Sequence, residues 1–491
     1  MSILAKLPEI IQVGMGVGVS NWSLASVVSR NGQLGVVSGT AIDVVVVRRL
    51  QLGDFDGSVR RALDSFPLPD MAKRFWDAFF IPGGKPESKR FKPLSMPNLR
   101  MKKDAVERMI IGNFVEVFLA KEGHDGVVGV NFLEKIQLPT LPSLFGAMLA
   151  GVDYVLMGAG IPLSIPGILD KLQKGEEVEL RINVDENPER HTFTQRFDPR
   201  EFFVSRFPKL KRPKFLAIIS SDILAKTFVR RATGYTDGFV IENHTAGGHN
   251  APPRKIDRTK PAPREYSQKD SADLGAMKEI GRPFWLAGGF ASPEALKDAI
   301  AQGAQGIQLG TIFAYCIDSG ILPETKKEVL QMYFDGKLKV KTDFDCSPTG
   351  FPFKVITLKN SVTNPEVGKK RSRICDMGYL RTAYASEGKK VGYRCASEPI
   401  DQYMNKGGKV EDTVGKHCLC NALLATIGLG QVRDEGVEPP IITSGDDFSF
   451  LDRMLDGPAS SYSATDVLDY LTAGLDAEPA PEELDSIVEV F

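Results

Sequence analysis

The stretch GFVIENHTAGGH, residues 238–249, joins a short apolar run to a turn that holds two glycines and two of the chain's five histidines. Similar runs recur over the first 320 residues, and most end in glycine or a small polar residue before a helix-like segment. The runs are IIQVGMG (10–16), LGVVSGT (34–40), VVGVNF (127–132), VDYVLMGAG (152–160), FLAIISS (215–221), GFVIEN (238–243), PFWLAGG (283–289) and GIQLGT (306–311). Continuous apolar strands are typical of parallel sheets buried on both faces. Eight of them alternating with helices predict an α/β fold, a (β/α)₈ TIM barrel, with a doubly wound sheet as the alternative.

The same rhythm suggests a division of the chain. Residues 1–320 are predicted to form the barrel, with insertions at 45–120 and 163–212, either of which would be placed to cover the barrel mouth. VELRINV and HTFTQRF in the second insertion predict a small hairpin. Residues 321–491 lack the β/α rhythm and are interpreted as a separate C-terminal module. It begins with a helical segment, continues with a turn and strand at PTGFPFKV (348–355), and ends in an acidic tail from Leu475.

Composition limits the class of partner. The 61 Lys and Arg balance 62 Asp and Glu, so there is no broad positive field for nucleic acid or an anionic membrane. The chain shows neither the apolar region of a signal peptide nor a stretch long enough to span a bilayer. We therefore expect a cytoplasmic protein that acts on a small molecule.

Two neighbouring predicted strands end in a pattern suited to phosphate. LAGGFASPEAL (286–296) places Gly288 and Gly289 at a strand end, before a predicted helix capped by Ser292. The next strand ends in Gly310 and Thr311. Free backbone N–H groups at such ends bind phosphate, and the loops after the seventh and eighth strands are the usual phosphate site of this barrel. The pattern predicts a phosphorylated cofactor, although each glycine pair taken alone would be explained by a tight turn.

The motifs together resemble the nitronate monooxygenase family, formerly called 2-nitropropane dioxygenases, over residues 8–320. The matching segments are IIQVGMGVGVSNWSLASVVSRNGQLGVVSGTA at the start, GVN (129–131), ENHTAGGH (242–249), AGGF (287–290) and QLGT (308–311). The resemblance implies an FMN-dependent oxidoreductase that oxidises alkyl nitronates, or related activated carbon acids, with dioxygen. The cofactor-binding residues that it implies are Gly14, Met15, Asn131, Ser220, Glu242, Gly247, Gly248, Gly288, Gly289, Gly310 and Thr311.

The resemblance also implies catalytic histidines. His249 occupies the position of the family's catalytic histidine, which acts as a base on a nitroalkane or steadies a bound nitronate. A histidine suits the first role when its pKa lies near the working pH. His244 is a second candidate, although a histidine at a strand end is as often structural.

Other features leave two further functions open. Family members carry a lysine where this chain has Ser220 and Ser221, which indicates a changed flavin environment. PTGFPFKV is similar to a segment of the flavin-dependent enoyl reductases of polyunsaturated fatty acid synthases, so NAD(P)H-dependent reduction of an enoyl thioester is the main alternative. No complete GxGxxG motif is present, but a barrel flavoenzyme can bind nicotinamide transiently without one. The basic region 360–410 would suit docking of an acyl carrier protein onto a scaffold, although such runs are more often solvated surface.

Four of the six cysteines gather in the C-terminal region: Cys375, Cys395, Cys418 and Cys420. Four thiolates would hold zinc or an iron–sulfur cluster. Their spacing is not that of paired CxxC motifs, and CLCNALLATIGLG also fits a half-buried helix in which the thiols only pack. The sequence leaves metal binding and simple packing as alternatives.

Overall fold

The computed structural model describes residues 7–203, 206–254 and 265–473. Its strands are β1 (Ile10–Gln12), β2 (Leu34–Ser38), β3 (Val128–Leu133), β4 (Tyr154–Gly158), β5 (Val178–Arg181), β6 (Thr194–Phe197), β7 (Lys214–Ile219), β8 (Gly238–Glu242), β9 (Phe284–Ala287), β10 (Gly306–Leu309), β11 (Val340–Asp343), β12 (Phe353–Ile356), β13 (Thr382–Ser386), β14 (Lys390–Arg394), β15 (Val432–Arg433) and β16 (Gly436–Val437). Its α-helices are α1 (Trp22–Arg30), α2 (Ile42–Gln51), α3 (Ser58–Asp64), α4 (Pro69–Phe79), α5 (Lys103–Lys121), α6 (Thr140–Leu149), α7 (Ile165–Gln173), α8 (Asp222–Arg231), α9 (Leu274–Ile280), α10 (Pro293–Ala301), α11 (Thr311–Ala314), α12 (Pro323–Phe334), α13 (Pro365–Lys370), α14 (Ile400–Asn405), α15 (Leu419–Thr426), α16 (Leu451–Met454) and α17 (Ala464–Thr472).

The eight predicted apolar runs form one closed parallel barrel. Its strands follow the order β1, β10, β9, β8, β7, β4, β3 and β2, and the ring closes through the pairing of β1 with β2. The barrel interior is filled by side chains that point inward from several strands, among them Ile11, Leu156 and Trp285. Trp285 is fully buried, and its indole N–H donates to the Pro8 carbonyl oxygen at 2.9 Å. The closed ring of eight parallel strands alternating with helices confirms the prediction of a (β/α)₈ barrel. Inward-facing apolar side chains fill it as a packed core, as is usual for this fold.

The helices begin where the sequence provides caps. Ser292 accepts a hydrogen bond from the Ala295 N–H at 3.1 Å, and Pro293 opens α10 as predicted. Ser221, at the start of α8, caps the Leu224 N–H in the same way. These caps place the amino ends of α8 and α10 beside the carboxyl ends of the strands that precede them. That edge of the barrel is where a site is expected.

The two interruptions of the barrel rhythm have different structures. Residues 45–120 are largely helical, and the long helix α5 packs against α1, α2 and α6 in the outer layer. The region 163–212 contains the predicted hairpin, in which β5 and β6 pair antiparallel.

The C-terminal region is built onto the carboxyl edge of the barrel. The predicted strand after PTG is β12, which pairs antiparallel with β11. β12 also meets the loop after β8, where His249 and Phe353 form an antiparallel bridge and the Lys354 N–H donates to the Gly248 carbonyl oxygen at 3.0 Å. The loop after β8 is therefore held by a segment that lies about one hundred residues later in the chain. The tail predicted from Leu475 lies outside the described residues.

Among the described helices, none is both long enough and apolar enough to cross a membrane.

Candidate active site

A cavity lies at the carboxyl ends of the barrel strands, the edge at which ligand sites of this barrel class are found. Its wall includes most of the residues singled out in the sequence: Met15, Glu242, Gly247, Gly248, His249, Gly288, Gly289, Gly310 and Thr311. The structure therefore brings together the ends of β1, β8, β9 and β10.

Four candidate residues do not line this cavity. Gly14 and Asn131 lie next to each other, since a Cβ on Gly14 would come within 2.9 Å of the Asn131 Cβ. Ser220 accepts a hydrogen bond from the Arg254 side chain through its backbone carbonyl at 3.3 Å. His244 stacks on Tyr266 with ring centroids 4.4 Å apart. Their proposed roles stay predictions, but a direct flavin contact is better supported for the residues in the wall.

Glycines at the ends of β8 and β9 leave room that side chains would fill. Gly288 has φ +98° and Gly289 φ +74°, a backbone region that favours glycine. A Cβ on Gly288 would overlap the Asn243 side chain, and a Cβ on Gly247 would lie 2.8 Å from the Gly445 backbone nitrogen. Gly445 belongs to the C-terminal region, and its N–H donates to the Thr311 hydroxyl at 2.9 Å. Backbone of the barrel and of the C-terminal region thus lies close around an open space lined by Gly288, Gly289, Gly310 and Thr311, which we call the glycine cradle.

The residues present fit FMN. The cradle offers glycine-rich backbone at two adjacent strand ends, which suits a phosphate group. In addition, the Gln308 Oε1 atom is buried at the cavity wall without a hydrogen-bond partner among the described residues. Buried polar atoms are normally satisfied, so a polar ligand in the cavity would supply the partner that this atom lacks.

His249 is held from the C-terminal region. Its Nε2 lies 2.7 Å from the Ser347 hydroxyl and 3.4 Å from that of Thr349, and the two hydroxyls are 2.8 Å apart. The ring of Phe353 packs edge-on against the imidazole, with centroids 4.7 Å apart. No hydrogen bond of Nδ1 occurs within the described ranges. Because His249 lines the cavity, Nδ1 is the ring nitrogen left for a bound substrate.

Burial shifts the pKa of two titratable groups in this wall, His249 and Glu242. It lowers the pKa of His249 to about 3, with a smaller contribution from the charge of Lys135. Burial alone raises the pKa of Glu242 to about 8. At neutral pH the imidazole is therefore neutral, and Glu242 is largely a protonated acid that can donate a hydrogen bond. The pKa of His249 therefore lies below the range that suits a general base at neutral pH, because the segment 347–353 encloses the ring.

Several wall residues were missed in the sequence. Tyr379, Leu419, Leu423 and Ile441 form an apolar side of the cavity, and Ser444 and Gly445 supply a polar turn. All belong to the region after residue 320. The signals available were weak: the turn in PTGFPFKV, and a small polar turn in TSGDD (443–447).

The structure does not support the predicted metal site. Over the part of the chain described, no group of three or more His, Cys, Asp or Glu is arranged to hold a metal ion. A hydrogen bond between the thiols of Cys375 and Cys395 lowers the pKa of Cys395 to about 7 and raises that of Cys375. Cys418 accepts from the Asn421 amide at 3.5 Å, and Cys420 lines the cavity beside Leu419.

Comparison with known proteins agrees with this geometry. The family model described as nitronate monooxygenase matches residues 179–367. A curated relative from Mycobacterium tuberculosis, (3aS,4S,5R,7aS)-5-hydroxy-7a-methyl-1-oxo-octahydro-1H-indene-4-carboxyl-CoA dehydrogenase, is 28% identical over 141 residues. That match covers 28% of this chain and only 35% of the relative.

Solved structures are similar over much of the chain but at low identity. FabK from Thermotoga maritima has a TM-score of 0.47 at 14% identity, covering 96% of this chain and 93% of its own. A nitroalkane oxidase from Streptomyces ansochromogenes has a TM-score of 0.43 at 14% identity, with 95% of each chain covered. TM-scores below 0.5 support no functional assignment. The matched segment, however, carries Glu242, the AGGH turn and the phosphate cradle in one stretch. The nitronate monooxygenase family model thus matches the part of this chain that contributes these residues to the cavity.

Proposed function

We propose that this protein is an FMN-dependent oxidoreductase that oxidises alkyl nitronates, or closely related carbanions, with dioxygen. One observation carries the proposal: the segment matched by the family model supplies His249, Glu242 and the glycine cradle to a single large cavity. When bound, FMN would accept electrons from the substrate. The cradle at Gly288, Gly289, Gly310 and Thr311 would hold its phosphate.

The state of His249 favours a nitronate over a neutral nitroalkane. A nitroalkane must lose a proton from carbon before oxidation, which needs a base. An imidazole whose pKa is about 3 is a weak base, so it is poorly suited to that step. A nitronate has already lost this proton, and it presents anionic oxygens that need a hydrogen-bond donor. Neutral histidine can serve as that donor.

The hydroxyls on Nε2 would set the tautomer that this role needs. The Ser347 hydroxyl accepts the Thr349 N–H at 3.2 Å and lies 2.7 Å from the His249 Nε2. If Ser347 donates its proton to Nε2, the ring proton stays on Nδ1, which can donate to a substrate oxygen. The buried Ser347 and the neighbouring Thr349 therefore orient the donor.

Reduction of an enoyl thioester with NAD(P)H remains the second candidate. The apolar wall formed by Leu419, Leu423 and Ile441 would accommodate an acyl group. Turnover separates the two functions. We expect dioxygen consumption with propyl-2-nitronate, little with 2-nitropropane on the same time scale, and none with NADPH and crotonyl thioester. NADPH oxidation that depends on the thioester, without nitronate turnover, would favour the reductase.

The third hypothesis is a scaffold that docks a carrier protein through the region 360–410. The structure weakens it, because several basic side chains of this region are paired within the fold. Arg371 pairs with the buried Glu438, Arg373 donates to backbone carbonyls, and Arg394 pairs with Glu186. Only some of the basic side chains, such as Lys370 and Lys390, are exposed. Much of this charge therefore acts within the fold.

A further inference from the structure

A turn of the C-terminal region lies beside the glycine cradle, and the proposed function gives it no role. It comprises residues 443–447 (TSGDD). Four of these five residues line the cavity that the glycine cradle also lines: Thr443, Ser444, Gly445 and Asp447. The turn therefore borders the cavity in which FMN is proposed to bind.

Backbone hydrogen bonds attach this turn to both sides of the glycine cradle. On one side, the Gly445 N–H donates to the Thr311 hydroxyl at 2.9 Å. On the other side, the Asp446 N–H donates to the Thr245 carbonyl oxygen at 3.1 Å. Thr245 is next to Gly288, since a Cβ on Gly288 would lie 2.8 Å from the Thr245 Oγ1. The turn thus connects the loop after β8 with the loop after β10.

The bond from Gly445 determines how the Thr311 hydroxyl can act. A hydroxyl accepts through its lone pairs and has one proton to donate. Because the Gly445 N–H uses Thr311 as an acceptor, the hydroxyl proton is left for another group, and no residue that the structure describes accepts it. Thr311 is partly exposed and lines the cavity. Its proton is therefore available to an anionic oxygen of a bound ligand.

A buried lysine holds the turn in this position. The Lys354 Nζ donates to both carboxylate oxygens of Asp446, at 2.8 and 2.7 Å, and to the Thr342 hydroxyl at 2.9 Å. The Lys354 side chain is only 3% exposed. The Lys354 N–H bonds to the Gly248 carbonyl oxygen, and the Gly248 N–H donates in turn to the Thr443 hydroxyl at 2.9 Å. Side chain and backbone of β12 thus fix the turn to the loop after β8.

The two carboxylates of the turn have partners within the protein. The charge of Asp446 is balanced by Lys354. The Asp447 carboxylate accepts the Ser449 N–H at 2.9 Å and the Ser449 hydroxyl at 2.7 Å. A free carboxylate would repel a phosphate group, so these contacts make an acidic turn compatible with a phosphate nearby.

We propose that the turn 443–447 completes the FMN phosphate site, with Lys354 and Asp446 as positioning residues. They hold Gly445 on the Thr311 hydroxyl, so that this hydroxyl donates its proton to a phosphate oxygen. This role rests on the proposed function, because it needs FMN as the cofactor. It also gives the C-terminal region control over the phosphate end of the flavin.

The test compares FMN with riboflavin, which has the same ring system but no phosphate. The dissociation constants of both flavins for the flavin-free, full-length protein are measured by isothermal titration calorimetry. We expect Asp446→Asn to weaken FMN binding by about tenfold, the factor that corresponds to one hydrogen bond to a charged group, and to leave riboflavin binding unchanged. Asp446→Glu keeps the carboxylate and should retain most of the preference for FMN.

Two further variants show whether the effect passes through the Thr311 hydroxyl. Thr311→Val should lose the preference for FMN, and adding Asp446→Asn to it should cause no further loss, since both changes remove the same hydrogen bond. Glu186→Gln is the matched control. It also removes a half-exposed carboxylate from a buried cation, Arg394, but Glu186 does not line the cavity. This control should bind both flavins as wild type does.

The outcomes separate this inference from the proposed function. Equal loss of FMN and riboflavin binding in Asp446→Asn, or unchanged binding of both, would overturn the inference. If Asp446→Asn does not fold, Gly445→Ala decides, because its Cβ would lie 2.9 Å from the Thr311 Oγ1 and displace that hydroxyl. An unchanged preference for FMN in Gly445→Ala would then overturn the inference. Loss of the FMN preference in Asp446→Asn, with no nitronate oxidation by the wild-type protein, would support the phosphate site and refute the proposed function.

Discussion

Replacing Ser347 with alanine removes a single hydroxyl that links the C-terminal region to the histidine of the cavity. Ser347 is fully buried, and its Oγ lies 2.7 Å from the His249 Nε2. The substitution leaves the imidazole in place but removes the group that keeps the ring proton on Nδ1. We expect a large loss of nitronate oxidation with a modest loss of stability.

The magnitude follows from the hydrogen bond. A buried hydrogen bond between neutral groups contributes about 1–2 kcal/mol, which corresponds to roughly 5- to 30-fold in an equilibrium or rate. If Nδ1 donates to the substrate mainly in the transition state, this loss should lie in kcat rather than in KM. Ser347→Thr keeps the hydroxyl and should restore much of the activity.

The assay is stopped-flow bleaching of the flavin by propyl-2-nitronate without oxygen, with FMN content measured in the same samples. Ser361→Ala is the matched control. Ser361 is also fully buried in the C-terminal region, and its hydroxyl bonds to the Leu358 carbonyl oxygen at 2.9 Å, away from the cavity. We expect similar thermal destabilisation in both variants but slower bleaching only in Ser347→Ala.

Two results would refute this reasoning. Bleaching by Ser347→Ala at the wild-type rate would show that the hydroxyl does not position the histidine. Equal slowing in Ser361→Ala would show that general destabilisation, and not the His249 contact, causes the loss.

Three further predictions follow from the site and its support. Gly288→Ala should reduce FMN binding, since its Cβ would overlap the Asn243 side chain. Gly281 also has a positive φ but nothing within 4 Å of a new Cβ, so Gly281→Ala should lower the stability by only about 1 kcal/mol and keep FMN. Equal FMN retention by both variants would contradict the proposal that the glycine cradle binds FMN. Burial raises the pKa of Glu242 to about 8, so the stability that its protonated form contributes at acid pH is lost as the pH rises from about 4.5 through 8. The melting temperature of the FMN-free protein should therefore fall more over this range in wild type than in Glu242→Gln. Parallel melting curves would count against a protonated Glu242. Arg371→Ala should destabilise the protein by roughly 1–2 kcal/mol, because the buried Glu438 loses one of its two ion pairs and keeps the one with Arg433. The exposed Lys370→Ala should be neutral in denaturant unfolding, and an equally neutral Arg371→Ala would restore the interpretation of this basic region as free surface.

The barrel could be predicted because its signal is local. Each run such as GFVIEN buries both faces in the sheet, so the apolar pattern alone marks a strand. The strand ends were set too late by several residues, as at β1, which ends at Gln12 rather than Gly16. Strand pairing ends before the apolar run does, because the last residues of the run turn away to form the site. Apolar composition alone does not mark the residue at which the pairing ends.

The candidate site could be predicted only in its barrel half. Gly288, Gly289 and His249 stand in short motifs at strand ends, where the fold itself brings them together. Ser347 lies 98 residues from His249 and reaches it only because β12 pairs with the loop after β8. The pKa of His249 depends on this same enclosure. Long-range contacts of this kind leave no periodic pattern in the sequence.

The most direct test is an anaerobic titration of the FMN-loaded protein, followed by its visible spectrum. We predict that propyl-2-nitronate bleaches the flavin band, that NADH and NADPH do not, and that air restores it. Bleaching only by a nicotinamide would contradict the nitronate account and favour the enoyl reductase. A protein that takes up no FMN would contradict the glycine cradle on which the account depends.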